Sequence, residues 1–410
     1  MKLLCYSLIL YLLLTSGFAA SKSMAVEGEF SFARERRSVT IPIRVTNNLA
    51  VMPLYINESG PFYFILDSGV NTTILTEPVI AQILGLNLRS TVLIYGLGGE
   101  GIVEAALATG VNISTRGIIG KNMNLLVIPE DILSFSEVFG FPVYGIIGHD
   151  FLRQFPVRID YANETIRVFR EPTYRRRNRD IEVPIRIVNG KPYVESTIVS
   201  EKGDSLTTNL LFDLGASHPI YLNNDYIELS EEVIDGFLGK GISGNLLGRL
   251  GRVEKVIIGN THIENPVVSY PERRFLEFHG QEIDWEGLIG GGIIRRYNVI
   301  LDYKSEKLIL RPGRDHNKPF NTSLSGLEVV ARGPDMRQFI VHYVRPGSAG
   351  YEAGVMTGDQ IVRLNMLRYT QLTLDQILDI LSSGERKNIS MTVIRDGELM
   401  HKDFRLREDI

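Results

Sequence analysis

Cysteine is almost missing from this 410-residue chain: the only one, Cys5, lies in an apolar segment at the very start. A chain that loses that segment has no cysteine, which excludes a thiol nucleophile, a disulfide framework and a cysteine-based zinc site. Histidine is scarce as well. The seven histidines form no His-Glu-x-x-His pattern and no close pair, so His149 and His218 read as surface or supporting residues rather than metal ligands. Neither sign of charge dominates: 44 Lys and Arg stand against 48 Asp and Glu, the net charge is -4, and no basic excess points to nucleic acid. The chain also lacks an apolar run of the roughly 20 residues that a membrane span needs.

What the start does contain is Lys2, a twelve-residue and almost wholly apolar run from Leu3 to Leu14, and then the small residues Thr15, Ser16, Gly17, Ala19 and Ala20. This pattern is that of a secretory signal peptide, residues 1–19, with cleavage between Ala19 and Ala20. It predicts an extracytoplasmic protein, periplasmic or secreted, with no membrane span once cleaved. A chain this long can rely on large cores in place of disulfides.

Two aspartates stand out from the rest. Asp67 in FILDSGV (64–70) and Asp213 in LLFDLGA (210–216) each follow a hydrophobic run, and each is followed one residue later by glycine. Asp before Gly is a common turn signal, so one such site would read as a strand-to-turn junction. Their surroundings, however, repeat. Residues 145–168 align without gaps to 287–310 with eight of 24 positions identical, and Pro42 in VTIPIRV matches Pro184 in IEVPIRI at the same 142-residue offset. The aspartates are offset by 146, so the second copy carries four extra residues before its Asp, a length change that surface hairpins tolerate. Asp160 and Asp302 in the repeated IDY and LDY read as hairpin-turn residues.

Both copies consist of short segments rich in Val, Ile, Tyr and Phe, punctuated by Gly, Asn and Pro, a β-rich pattern. TEPVIAQILGL (76–86) is a helical exception, with Thr76 expected as N-cap and Pro78 in the first turn. From about Asn317 the character changes: two strand-like runs, a short helix reaching Ala353, a turn at Gly358 and Asp359, a strand over Gln360 to Leu364, and an amphipathic helix within 372–384. The expected organisation is a mainly β protein with lobes at 25–172 and 173–314 and a smaller α+β domain at 320–408. Such internal duplication predicts a monomer.

Paired carboxylates can cleave an amide without thiol, metal or serine. Two aspartates about 3 Å apart cannot both ionise, so they share a proton; one activates water while the other polarises the carbonyl. Residues 38–312 resemble the aspartic proteases of the retropepsin and pepsin type, in particular secreted bacterial proteins with two halves in one chain. The resemblance rests on DSG (67–69) and DLG (213–215), on the glycine-rich YGLGGEG (95–101) and GKGISGNLLG (239–248), and on IIG (146–148) and LIG (288–290). It implies a bilobal pepsin-like fold, Asp67 and Asp213 as the dyad, and Ser68, Gly69, Gly215 and Ala216 shaping the catalytic loops. It also implies flap hairpins near Gly96, Gly98, Gly99 and Gly241, a polypeptide substrate and no cofactor.

The C-terminal segment resembles a PDZ domain of the circularly permuted order seen in exported bacterial proteases, through SGLEVV (325–330), VRPGSAGYEAGVMTGDQIVRLN (344–365) and LTLDQILDIL (372–381). That resemblance implies a C-terminal peptide bound at Gly326 and Leu327, with the next strand adding the peptide to its edge. One departure sets up a rival reading. Leu214 stands where the protease family has Thr or Ser, which would suit a non-catalytic peptide-binding protein that keeps the cleft. Gly96, Gly98 and Gly101 also spell G-x-G-x-x-G, but no periodic helix follows to make a dinucleotide site.

Overall fold

The computed structural model describes residues 12–13, 28–96, 102–128, 133–241, 244–278, 281–282 and 285–410. The fold is mainly β. Two ten-stranded sheets share one plan: in the first, Ser59–Leu66 runs parallel to Gly145–Ile147, which pairs antiparallel with Ile74–Leu75. In the second, Ser205–Phe212, Gly287–Ile289 and Ile220–Leu222 repeat this trio with the same senses. Strand alternation drives the packing: Lys191–Val199 buries residues such as Val194, Ser196 and Ile198 while Glu195 points outward.

A six-stranded sheet joins the lobes, in the order Ile181–Pro184, Lys307–Pro312, Tyr297–Asp302, Val157–Asp160, Thr165–Phe169 and Ser38–Pro42. At its centre Val157 pairs with Leu301, Arg158 with Ile300 and Ile159 with Val299, so positions related by the 142-residue offset exchange across the pair. An approximate two-fold axis therefore passes between Arg158 and Ile300. Pro42 opposite Thr165 and Pro184 opposite Lys307 occupy the outer strands, where a missing N–H costs least. Asp160 and Asp302 close the adjoining turns identically, each accepting at 3.1 Å from the backbone N–H three residues on, Asn163 and Ser305.

The helix expected from Thr76 differs in detail. It spans Pro78–Ile83 with Glu77 at the N-cap, because Pro78 takes the first helical position while the N–H of Thr76 donates to Tyr144 O at 2.8 Å. Strand Leu88–Gly96 pairs antiparallel with Ile102–Thr115, the next described element, which is a strand and not a helix, and this removes the dinucleotide reading.

Residues 327–405 build a separate six-stranded sheet whose order runs Leu327–Arg332, Gln338–Val344, Gln360–Leu364, Asn388–Arg395 and Glu398–Arg405, with Leu367–Arg368 beside Gln360–Leu364. Helix Leu374–Leu381 begins with a capping box, Thr373 with Gln376, and buries Leu374, Ile377, Leu378 and Leu381. This part has a hydrophobic core of its own, distinct from the one shared by the two lobes.

Candidate active site

Each candidate aspartate sits where a buried strand ends. The N–H of Asp67 donates to Ile147 O at 2.9 Å and that of Asp213 to Ile289 O at 2.9 Å, so the strand holding IIG or LIG fixes the aspartate one sheet position away. The chain then turns back on the carboxylate: Gly69 N–H reaches Asp67 Oδ1 at 2.6 Å and Gly215 N–H reaches Asp213 Oδ1 at 2.9 Å. A side chain at Gly148 would come within 2.1 Å of Val70 O, and one at Gly290 within 2.3 Å of His218 O, which is why both hydrophobic motifs end in glycine. Ala216 is buried, and its carbonyl accepts from Gly291 N–H at 2.6 Å.

The two loops meet. A Cβ on Gly215 would lie 2.1 Å from Asp67 Oδ2, so the first carboxylate rests directly on the second loop. Ser68 crosses the lobe boundary, donating from Oγ to Phe212 O at 2.6 Å and accepting at Oγ from Leu214 N–H at 3.0 Å. Leu214 cannot return the bond pair, since its side chain has neither donor nor acceptor. It is fully buried in the shared core instead, where a leucine contributes roughly 1.5–3 kcal/mol of burial. The cross-brace is thus one-sided, with apolar packing on the other side.

Hairpin tips brace the loops from the opposite lobe. Asn48 donates from Nδ2 to Ser217 O at 2.8 Å and accepts from Arg295 Nη1 at 3.2 Å. Its repeat counterpart Gly190 lies against Asn71 and His149, where a Cβ would approach Asn71 Oδ1 at 2.5 Å. Other supports exist on one side only. Asp150 Oδ2 accepts from Thr73 N–H at 2.9 Å and Thr73 Oγ1 at 2.5 Å, pinning the exit of the first loop. In the second half Gly292 and Pro219 stand at those positions, and His218 is held instead through Nδ1 by Ser269 Oγ at 2.5 Å.

Both aspartates are wholly buried, and Asp67 Oδ2 and Asp213 Oδ2 have no hydrogen-bond donor among the described residues. Two such oxygens satisfy each other only if one carries a proton. Burial is the main force raising both carboxyls, Asp67 well above the usual range with further lift from the Asp213 charge, and Asp213 to about 6. Opposing this is Lys191, 3% exposed, whose charge lowers both; burial in turn brings Lys191 down to about 8. Tyr303 faces the same pair with a buried hydroxyl that has no hydrogen-bond partner among the described residues, and burial with the two carboxylate charges raises its pKa.

The structure therefore brings together Asp67, Ser68, Gly69, Asp213, Gly215 and Ala216. Gly96 ends one glycine-rich strand and Gly241 ends Val233–Gly241, whereas Gly98 and Gly99 lie outside the described residues, as does most of the segment read as a signal peptide. Gly326 and Leu327 lie far along the chain, just before and at the start of strand Leu327–Arg332: Gly326 N–H donates to Ser323 Oγ at 3.2 Å and Leu327 N–H to Ser325 Oγ at 3.2 Å. Lys191 escaped the sequence reading. A lysine between Gly and Pro at a hairpin looks solvated; its one clue is that its repeat counterpart, Leu49, is apolar and buried.

Residues 52–151 match the family model of the aspartyl proteases, a stretch that contains Asp67, its loop and the IIG strand. The match supports an aspartic protease family and a protease-type function. No curated protein matches the chain.

Proposed function

We propose that the chain is an exported aspartic endopeptidase in which Asp67 and Asp213 share one proton and activate a water for attack on a peptide carbonyl. One observation carries this reading: two buried carboxylates from equivalent loops meet across an approximate two-fold axis, each with an oxygen that has no hydrogen-bond partner among the described residues. In the reaction, the ionised carboxylate takes a proton from water as its oxygen bonds to the carbonyl carbon, while the protonated carboxylate hydrogen-bonds the carbonyl oxygen. The proton taken up then passes to the leaving nitrogen as the C–N bond breaks. Gly69 and Gly215 N–H groups hold one oxygen of each carboxylate, which leaves the other for this exchange. The C-terminal domain, by its likeness to PDZ domains, is read as a polypeptide-binding module.

The test is turnover of unfolded casein and a peptide library between mildly acidic and neutral pH, in wild type and in Asp67→Asn and Asp213→Asn. Loss of turnover in both variants with the fold retained is the expected result. The one-sided brace at Leu214 favours a second reading, a peptide-binding protein without turnover; it gains if wild type cleaves nothing yet binds peptides.

A further inference from the structure

Strand Leu327–Arg332 is an edge of the C-terminal sheet, and among the described residues no strand pairs with its outer side. An edge strand beside an amphipathic helix is a place where an extended polypeptide can add itself to a sheet. Here that place is taken. Helix Phe135–Phe139 of the first lobe packs against Leu327–Arg332, and Leu327 to Ala331 are all buried. Val138 belongs to two cores at once, packing against the first lobe's small cluster and against the core of the C-terminal domain. Gly140, at φ 68°, leaves so little room that a Cβ there would sit 2.8 Å from Leu374 Cβ at the start of helix Leu374–Leu381. Glu137 pairs with Arg332 at 3.0 Å.

The same domain also grips the second lobe. The Phe237 ring, on strand Val233–Gly241, lies 5.5 Å from His342 and 5.7 Å from Tyr343 on the neighbouring strand Gln338–Val344. Asn47 donates from Nδ2 to Val138 O at 3.1 Å, and the adjacent Asn48 holds Ser217 O of the second catalytic loop. Neither Asp67 nor Asp213 has any exposed surface.

We propose that residues 134–140 are the resident occupant of the groove between strand Leu327–Arg332 and helix Leu374–Leu381, and that an incoming polypeptide displaces them and frees strand Val233–Gly241. Opening of the cleft is then coupled to filling of the groove. The effect on turnover rests on the protease reading; the occupancy of the groove does not.

The experiment uses the full chain and hydrogen exchange read by mass spectrometry. Gly140→Val cannot keep its contact with Leu374, and Arg332→Glu meets Glu137 as a like charge. Both should speed exchange at least tenfold in 233–241 and 327–332, and Glu137→Arg should restore the slow rate to Arg332→Glu. A synthetic peptide copying residues 133–141 should bind Gly140→Val at least tenfold more tightly than wild type, and casein turnover should rise severalfold. Unchanged exchange in folded Gly140→Val and Arg332→Glu overturns the proposal, as does faster exchange in 327–332 with none in 233–241. Turnover that survives Asp67→Asn sinks the protease reading and leaves the groove's occupancy standing.

Discussion

Ser68 and Phe212 are joined across the lobe boundary by a 2.6 Å hydrogen bond, from the hydroxyl beside one aspartate to the carbonyl just before the other. The same hydroxyl accepts Leu214 N–H, so one side chain ties the two aspartate-bearing loops together. Ser68→Ala leaves a buried carbonyl and a buried N–H unpaired. At about 1–3 kcal/mol for each of the two orphaned groups, a loss of roughly 2–6 kcal/mol is expected in urea unfolding, with turnover down at least tenfold. Unchanged stability would mean that the brace is not one-sided as described.

Gly215→Ala tests the meeting of the loops from the other direction. Its Cβ would overlap the Asp67 carboxylate at 2.1 Å, so the carboxylate must move away. Turnover should fall at least a hundredfold while secondary structure, followed by circular dichroism, stays near that of wild type.

Burial raises Asp213 to about 6 from 3.8. The folded state then holds a proton that the unfolded chain releases, so this stabilising contribution is complete below pH 3.8 and is lost as pH rises through 6. Asp213→Asn removes that dependence. Relative to wild type it should gain nothing near pH 3.5 and up to about 3 kcal/mol above pH 7, taking 1.36 kcal/mol per pKa unit. Thermal melts across this range decide it; a gain that is independent of pH refutes it.

Lys191 lowers both carboxyl pKa values, and it remains largely cationic below its own value of about 8. Lys191→Leu, which copies its counterpart Leu49, should therefore move both limbs of the pH profile of kcat/KM to higher pH, and Lys191→Arg should not. Coincident profiles for Lys191→Leu and wild type would show that the cation does not act on the dyad.

Much of this site could be read from the chain because the duplication wrote it twice. Asp67 and Asp213 stood out through matching surroundings, and Gly148 and Gly290 through a motif that packing forces on both halves. What repeats less well was hidden. Lys191 is visible only as a break in the pattern, since burial of a lysine depends on what the opposite lobe places beside it. The seat of helix Phe135–Phe139 on the C-terminal domain joins segments about 190 residues apart, and no local periodicity encodes such a contact. Thr76 lost its expected cap to Pro78, where the fixed φ of proline outranked side-chain preference.

The central pairing of Val157–Asp160 with Tyr297–Asp302 is the contact that two identical chains would make about a two-fold axis. A symmetric pair of identical chains would have to spell every residue twice. Once the halves are covalently joined that obligation lapses, and the chain can place one serine bridge, one buried lysine and one Asp150 clasp at a site that is otherwise duplicated. Asymmetry around Asp67 and Asp213 gives each carboxylate its own surroundings, which under the proposed mechanism would let one be the standing acid and the other the standing base.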